Sequence, residues 1–579
     1  MDRILTALVT DYLSAHELES VDVGIDFEQF AIYSIVSHEY NRDFEIDQLW
    51  TGKGNDTGID GIGIIVNGRL IENVEDIDFL LKENGYLEIT FIFIQAKSES
   101  KFDSAEMGVF SFGVTDFFSE KNNLVRNEKI KEFAALSAHL FVHAANFRIN
   151  PVCKLFYIST GTWLEDQNNV AVVKSTIEQL KATNLFSDIG FFSFGSKEIS
   201  DLYRETKNVS STIFNFSEKI TLPELPGIRE AYYGILPFSE FKKIIVDENK
   251  SKRPIYYDNI RDFYGLDNRV NTSIVETLKS ESPQLFAVLN NGVTIVASSL
   301  TSSGNRFTIS DFQIVNGCQT SNVLFANKDY DQIQDLHVPV KLIITDLDEI
   351  KNLITVATNN QNAVKREQLQ AMTEFQKGLE QFYESFEDDL RLYYERRPKQ
   401  YQSENIPKTR IISIQLQIKT FGAMFLDIPH LVTSYFGNVI GDYVESEPPL
   451  IFDPSHHFYP YFTASFMYYK LDSLFRMKII DSKYRKIKLF ILMLAGKLIG
   501  PFNFKLILTS PKHSERFFQG AMKILCAEDK GLSLFARALE IIEASGLDVN
   551  DKEILKKPNT TEKLLKIYKE KYMEKSDSA

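Results

Sequence analysis

The chain has 579 residues, 44% hydrophobic and 25% charged, with 64 lysines and arginines against 79 aspartates and glutamates, a net charge of −15. That length exceeds one hydrophobic core, so two to four domains are expected, and the composition excludes a protein disordered at length. The acidic balance excludes one that coats nucleic acid non-specifically and confines any nucleic-acid contact to local sites. Cys153, Cys318 and Cys526 lack the paired spacing of a zinc site or disulfide framework, and the nine histidines suggest no ligand cluster, with the adjacent His456 and His457 read as surface loop residues. The first residues lack the basic flank and apolar run of a signal peptide, and no run of about 18 apolar residues suggests a membrane span, so a cytoplasmic protein is expected.

In chain order, Asp26 and Gln29 have capping-box spacing ahead of a helical FAIYSIVSHEY. IDGIGIIV and YLEITFIFIQA read as strands, with Asn67 and Gly68 as a hairpin turn after the first. From Lys154 to Arg204 the order is strand, helix, strand, helix, which favours a mostly parallel, helix-covered sheet. The prolines of ITLPELPGIREAYYGILP place a domain junction near residues 215–237. The expected division is residues 1–210, residues 225–395 as a second mixed α/β domain, and residues 396–579 as a mainly α-helical part. The fold class is therefore multidomain α/β.

The most informative residues are Asp60 in TGIDGIGI and the pair Gln95 and Lys97 in FIFIQAK. On that strand Phe91, Phe93, Gln95 and Lys97 share one face while Ile92, Ile94 and Ala96 share the other, so both faces are buried. Burying an amide without partners costs roughly 2–7 kcal/mol and an ammonium more; a metal-bound phosphate would supply those partners. Mg²⁺ (or Mn²⁺) takes oxygen ligands, and Asp60 and Gln95 can provide them, with Lys97 to hold an attacking water. A second carboxylate is Glu28, which falls on the stripe of Ile32 and Ile35 rather than on the polar face of its helix. Each residue alone has a plainer reading: a snorkelling lysine, a helix-terminal glutamate, an Asp-Gly turn.

Together, the helix with Phe27 and Glu28, then Gly58-Ile59-Asp60-Gly61, then Gln95-Ala96-Lys97 resemble the Mrr-like branch of the PD-(D/E)xK restriction-endonuclease superfamily over roughly the first 125 residues. The resemblance implies a restriction-endonuclease-like sheet with Asp60, Gln95 and Lys97 as its active site, often joined by Glu28. No proline-aspartate pair is present.

A second set is Asn259-Ile260-Arg261-Asp262, Asn290-Asn291-Gly292, Ile314-Val315-Asn316-Gly317-Cys318-Gln319-Thr320, Asn359-Asn360-Gln361-Asn362 and Glu395-Arg396-Arg397. This order resembles the abortive-infection phage-resistance (AIPR) family, which implies bacterial defence against phage, often beside an N-terminal nuclease domain. DFQIVNGCQTSNVLFA reads as a strand, a turn at Asn316 and Gly317, and a helix whose N-terminus could bind an anion; an ordinary capped turn is at least as good a reading. Amides suit recognition of base edges or a nucleotide. The candidate binding residues are therefore Asn291, Asn316, Gln319, Thr320, Asn360 and Gln361, with Arg261, Arg396 and Arg397 as phosphate partners. Basic clusters at Arg396, Arg397 and Lys399 and from Arg476 to Lys488 read first as solvated helix faces.

The reading is a Mg²⁺-dependent endonuclease of an anti-phage system, with DNA the favoured target. A homo-oligomer is expected, with the aromatic helical end as its contact or as ordinary core, and a phage-derived trigger or a second defence protein as further partner. The alternatives are an inactive nucleic-acid or phage-component sensor and an RNase.

Overall fold

A computed structural model describes residues 1–573 apart from 41–42, 53, 120, 122, 208–210, 247–252, 254, 256–268, 281–282, 331–332, 335, 360–373, 397–399, 403, 405, 501–502 and 550. The first unit is a five-stranded sheet in the order β2-β1-β3-β4-β5. Its strands are β1 (Gly61–Val66), β2 (Arg69–Leu70), β3 (Ile89–Lys97), β4 (Val152–Ser159) and β5 (Asp188–Phe194). β3, β4 and β5 are parallel and β1 and β2 antiparallel, so the sheet is mixed. Asn67 and Gly68 form the β1–β2 turn with φ of 49° and 72°, the positive angles that a two-residue hairpin needs.

Helices α1 (Arg3–Ala15), α2 (Val23–Glu39) and α8 (Ser196–Glu205) cover one face. Besides the short α3 (Ile46–Leu49), the unit contains α4 (Val74–Asn84), α5 (Ser104–Phe117), α6 (Glu128–Val142) and α7 (Gln167–Ala182), which cover the other face. β3 is therefore buried on both sides. Phe91 and Phe93 pack among α4–α7, and Ile92, Ile94 and Ala96 among α1, α2 and α8. The cap of α2 differs from the expected capping box. Asp22 accepts the Gly24 and Ile25 N–H groups, so the helix starts earlier; Asp26 is buried in its first turn and accepts from the Ser20 hydroxyl and the Val21 N–H.

The second unit is a six-stranded sheet in the order β6-β10-β9-β11-β8-β7. Its strands are β6 (Ser211–Asn215), β7 (Glu218–Thr221), β8 (Glu230–Pro237), β9 (Val293–Ser303), β10 (Arg306–Asn316) and β11 (His337–Ile344). The segment expected as a junction, residues 215–237, thus holds β7 and β8. The prolines that broke its periodicity lie between these strands and at the end of β8, where the ladder does not require their missing N–H groups.

From residue 374 on the chain is mainly helical, apart from a small parallel pair, β12 (Tyr393–Glu395) and β13 (Ile411–Ser413). Its aromatics are core: Tyr461, Phe462 and Phe466 of the helix Phe458–Arg476 are fully buried, and the Tyr461 ring stacks on Phe421 at 4.1 Å between centroids. These rings do not form an exposed association surface.

The basic run from Arg476 to Lys488 docks this helical part on the first unit. Arg476 pairs with Glu17 and Asp472, Arg485 with Asp47, and Lys486 with Glu132. Lys488 is buried between Glu45, Asp472 and the Tyr468 hydroxyl, which donates to Glu45. An expected solvated face is thus an internal interface. No helix among the described residues is long and apolar enough to cross a membrane.

Candidate active site

Two close approaches shape the end of the first sheet. A Cβ on Gly113 of α5 would stand 2.0 Å from the Thr57 carbonyl oxygen, so a glycine there lets the loop before β1 lie flat on α5. A Cβ on Gly61 would stand 2.8 Å from Ile32 Cγ1, so a glycine there lets α2 sit directly on the start of β1. Glu28 lies one turn before Ile32 on the same helix face. This contact carries its carboxylate to the end of the strand.

Asp60 precedes β1, and its N–H donates to the Ile94 carbonyl at 2.8 Å, continuing the β1–β3 ladder and setting Asp60 beside Gln95. Asp60 Oδ2 accepts from the Ala96 N–H at 2.8 Å and faces the Gln95 amide nitrogen at 3.5 Å. Both side chains are buried, Asp60 6% and Gln95 3% exposed. Lys97, half-buried, follows on the same strand face. Burial pushes the Asp60 carboxyl up to about 7; the Glu28 carboxylate and Asp56 push the same way, while the Ala96 N–H and the Lys97 ammonium oppose them. Asp60, Gln95, Glu28 and Lys97 therefore share one electrostatic site.

Sequence reasoning missed Trp50 and Asp56. The Trp50 indole N–H donates to Glu28 Oε2 at 3.2 Å, and the Trp50 backbone bridges to Gly61. Trp50 therefore ties the helix carboxylate to the strand that bears Asp60. One of only two tryptophans in the chain, placed between the helix and the Gly-Ile-Asp-Gly run, was the available signal. Beside Gln95 on β4, the Tyr157 O–H donates to Glu106 Oε2 at 3.3 Å, adding a carboxylate on α5.

The donor set fits a hard divalent ion. A desolvated carboxylate raised by a second carboxylate lacks positive charge, and two carboxylates with an amide oxygen suit Mg²⁺ or Mn²⁺. The Gln95 amide presents its nitrogen to Asp60; a half-turn of that amide would present its oxygen instead.

Two expectations follow. Asp60 binds its proton more tightly folded than unfolded, so its contribution to stability is full below about pH 4 and is lost as pH rises through about 7. In thermal melts near pH 8, Asp60→Asn should therefore stabilise the metal-free protein, and Mg²⁺ should raise the wild-type midpoint more near pH 8 than near pH 6. No pH dependence of the Mg²⁺ shift would contradict this. Trp50→Phe keeps the ring but not the donor, and should weaken Mg²⁺ binding by about 10- to 100-fold, read by calorimetric titration.

The second set of predicted residues divides. Arg261, Asn360, Gln361 and Arg397 lie outside the described residues. Arg396 is not poised for a phosphate: it is largely buried, and its Nε pairs with Glu380 at 2.7 Å. The turns at Asn290-Asn291-Gly292 and Asn316-Gly317 pack on each other. Gly317, with φ of 91°, sits where a Cβ would meet the Gly292 carbonyl at 2.8 Å, and Thr320 Oγ1 donates to Asn290 Oδ1 at 3.1 Å. Gln319 and Thr320 are buried in the first turn of the helix Cys318–Ala326, Asn316 is half-buried, and Asn291 is exposed. Asn291 and Gly292 join a short helix to β9 and are not a hairpin turn.

Residues 256–532 match the family model described as AIPR protein. This stretch of the chain is similar to AIPR proteins. The AIPR match takes in both packed turns, strands β9–β11 and most of the helical part, and it points to abortive-infection defence against phage. Asp60, Gln95, Lys97 and Glu28 all precede it. No curated protein and no solved structure matches the chain.

Proposed function

We propose that the chain is a metal-dependent nuclease of an abortive-infection system, cleaving phosphodiester bonds at the end of the first sheet. The observation that carries this reading is the buried Asp60 set against Gln95 across two strands, with Glu28 and Lys97 acting on the same carboxyl. The resemblance to the Mrr-like nucleases supports it, since these are the four residues that resemblance marks.

Asp60, Glu28 and the Gln95 amide oxygen would hold Mg²⁺ or Mn²⁺. Once bound, such an ion polarises a phosphoryl group and lowers the pKa of a coordinated water. Asp60 must give up its proton for the site to load, so loading favours neutral to alkaline pH. Gln95 turns its amide, Trp50 holds Glu28 in place, and the Lys97 ammonium orients the attacking water or a phosphate oxygen. DNA is the proposed target. The AIPR domain would sense infection or grip the substrate, with Asn291 exposed and Asn316 half-buried among the amides singled out in the sequence. A second copy of the chain and a phage-derived trigger are the proposed partners.

The experiment incubates purified full-length protein with plasmid, linear DNA and RNA, each with Mg²⁺, Mn²⁺ or EDTA. DNA cleavage that needs metal supports the proposal, and cleavage of RNA alone makes the enzyme an RNase. No cleavage of any polymer under conditions where the protein protects cells from phage would leave the AIPR domain as a sensor and remove the nuclease.

A further inference from the structure

Far from Asp60, α4 and α6 bring three metal-ligating side chains together. His139 and His143 lie one helical turn apart at the end of α6, His143 being the residue that caps it. Between them stands Asp78 of α4. His139 Nε2 lies 2.7 Å and His143 Nε2 3.6 Å from the same oxygen, Asp78 Oδ1, and the two imidazoles meet edge to face at 5.0 Å between centroids. Among the described residues this is the one group of three or more His, Cys, Asp or Glu whose ligand atoms lie within 4.8 Å of one another. In the sequence the nine histidines suggested no ligand cluster.

We propose that Asp78, His139 and His143 form a transition-metal site of the Zn²⁺ class that clamps α4 to α6. A hydrogen bond between helices needs only His139. His143 Nε2 is shielded from solvent and makes no hydrogen bond, and the Asp78 oxygen 3.6 Å away offsets its desolvation only in part. A metal would give both imidazoles and the carboxylate one common partner. Donors about 2.0–2.1 Å from a tetrahedral ion lie roughly 3.3 Å apart, and the separations of 2.7 Å and 3.6 Å fall on either side of that spacing. Two histidines four residues apart on one helix are a geometry that zinc accepts. Asp78 is more than half exposed, so the fourth position would open to water.

Ligand chemistry separates this site from the first. Imidazole nitrogens select Zn²⁺ and its neighbours over Mg²⁺, whereas Asp60, Glu28 and Gln95 offer only oxygens. Position separates them too. Asn127 at the start of α6 donates to Thr51 and Gly54 in the loop leading to Asp60, and the 15 residues of α6 then carry the chain about 22 Å away. The clamp would brace α4, which packs on the helical part through Phe79 against Gly437 and Glu75 against Lys556.

The test uses tag-free, chelator-stripped full-length protein, titrated with Zn²⁺ by calorimetry and with Co²⁺ by visible absorption. Wild type and Asp60→Ala should each bind about one Zn²⁺ per chain, show tetrahedral Co²⁺ bands, and melt at a higher temperature with Zn²⁺. His143→Gln and His139→Ala should weaken binding at least about tenfold and lose the shift. No saturable Zn²⁺ binding by wild type, octahedral Co²⁺ bands, or unchanged affinity in the folded histidine variants would each overturn the proposal. None of these readouts depends on nuclease activity.

Discussion

Asp60→Ala and Lys97→Ala should each lower metal-dependent cleavage by about 10³-fold or more. Each would remove a group that the proposed mechanism sets on the reacting phosphate or on the ion that holds it, and loss of one such group typically costs 10²–10³ or more in rate. The loss should not come from unfolding. Asp60 is a buried carboxyl held above its ordinary range by burial and by Glu28, so removing its charge relieves the metal-free fold. Asp60→Asn sharpens the point: it keeps the shape and an oxygen able to accept from the Ala96 N–H, yet should be equally inactive. Plasmid cleavage measured beside thermal melts separates the two effects. Variants that are folded and still active would remove these residues from the chemistry.

Lys488→Glu should be the most destabilising single charge change at the interface between the helical part and the first unit. Lys488 is buried and meets Glu45 and Asp472, each at 3.0 Å, together with the Tyr468 hydroxyl. Removing one partner of a buried ion pair costs about 3–5 kcal/mol; Glu45 is open to solvent on one side, which puts Lys488→Met near the lower end. The glutamate adds a third carboxylate to the cluster and should exceed that. The reach is functional as well, because Glu45 precedes α3 and α3 leads directly to Trp50, the partner of Glu28. Chemical denaturation and Mg²⁺ titration should therefore both respond. A stability within about 0.5 kcal/mol of wild type would show that the cluster does not hold the units together.

The site was legible in the sequence where a local rule left few choices. Period-two alternation placed Gln95 and Lys97 on one face of a strand too apolar to be exposed, and the strand pairing then set Asp60 beside Gln95. Glu28 was legible because a carboxylate on an isoleucine stripe has no reason to face a core. Trp50 and the His139, His143 and Asp78 group were not, because their partners come from separate elements and only the packing of α2 on β1, or of α4 on α6, brings them together. Arg396 went the other way: a run of arginines suggests a phosphate, but Glu380, 16 residues earlier, takes the charge. The run from Arg476 to Lys488, besides Asp472 close by, likewise found Glu17, Glu45, Asp47 and Glu132 more than 350 residues away in the chain. The strands of residues 215–237 were hidden because proline breaks a periodicity without breaking a sheet when it falls at a strand's end.

The most direct test of the proposed active site is to look for a bound ion, by anomalous diffraction from crystals of the full-length chain soaked in Mn²⁺. The expected result is a peak about 2.0–2.3 Å from an Asp60 carboxylate oxygen, with Glu28 and the Gln95 amide oxygen in or next to its coordination shell and Lys97 facing the open side. Mn²⁺ bound elsewhere, with Asp60 still holding only the Ala96 N–H and the Gln95 amide, would contradict the account.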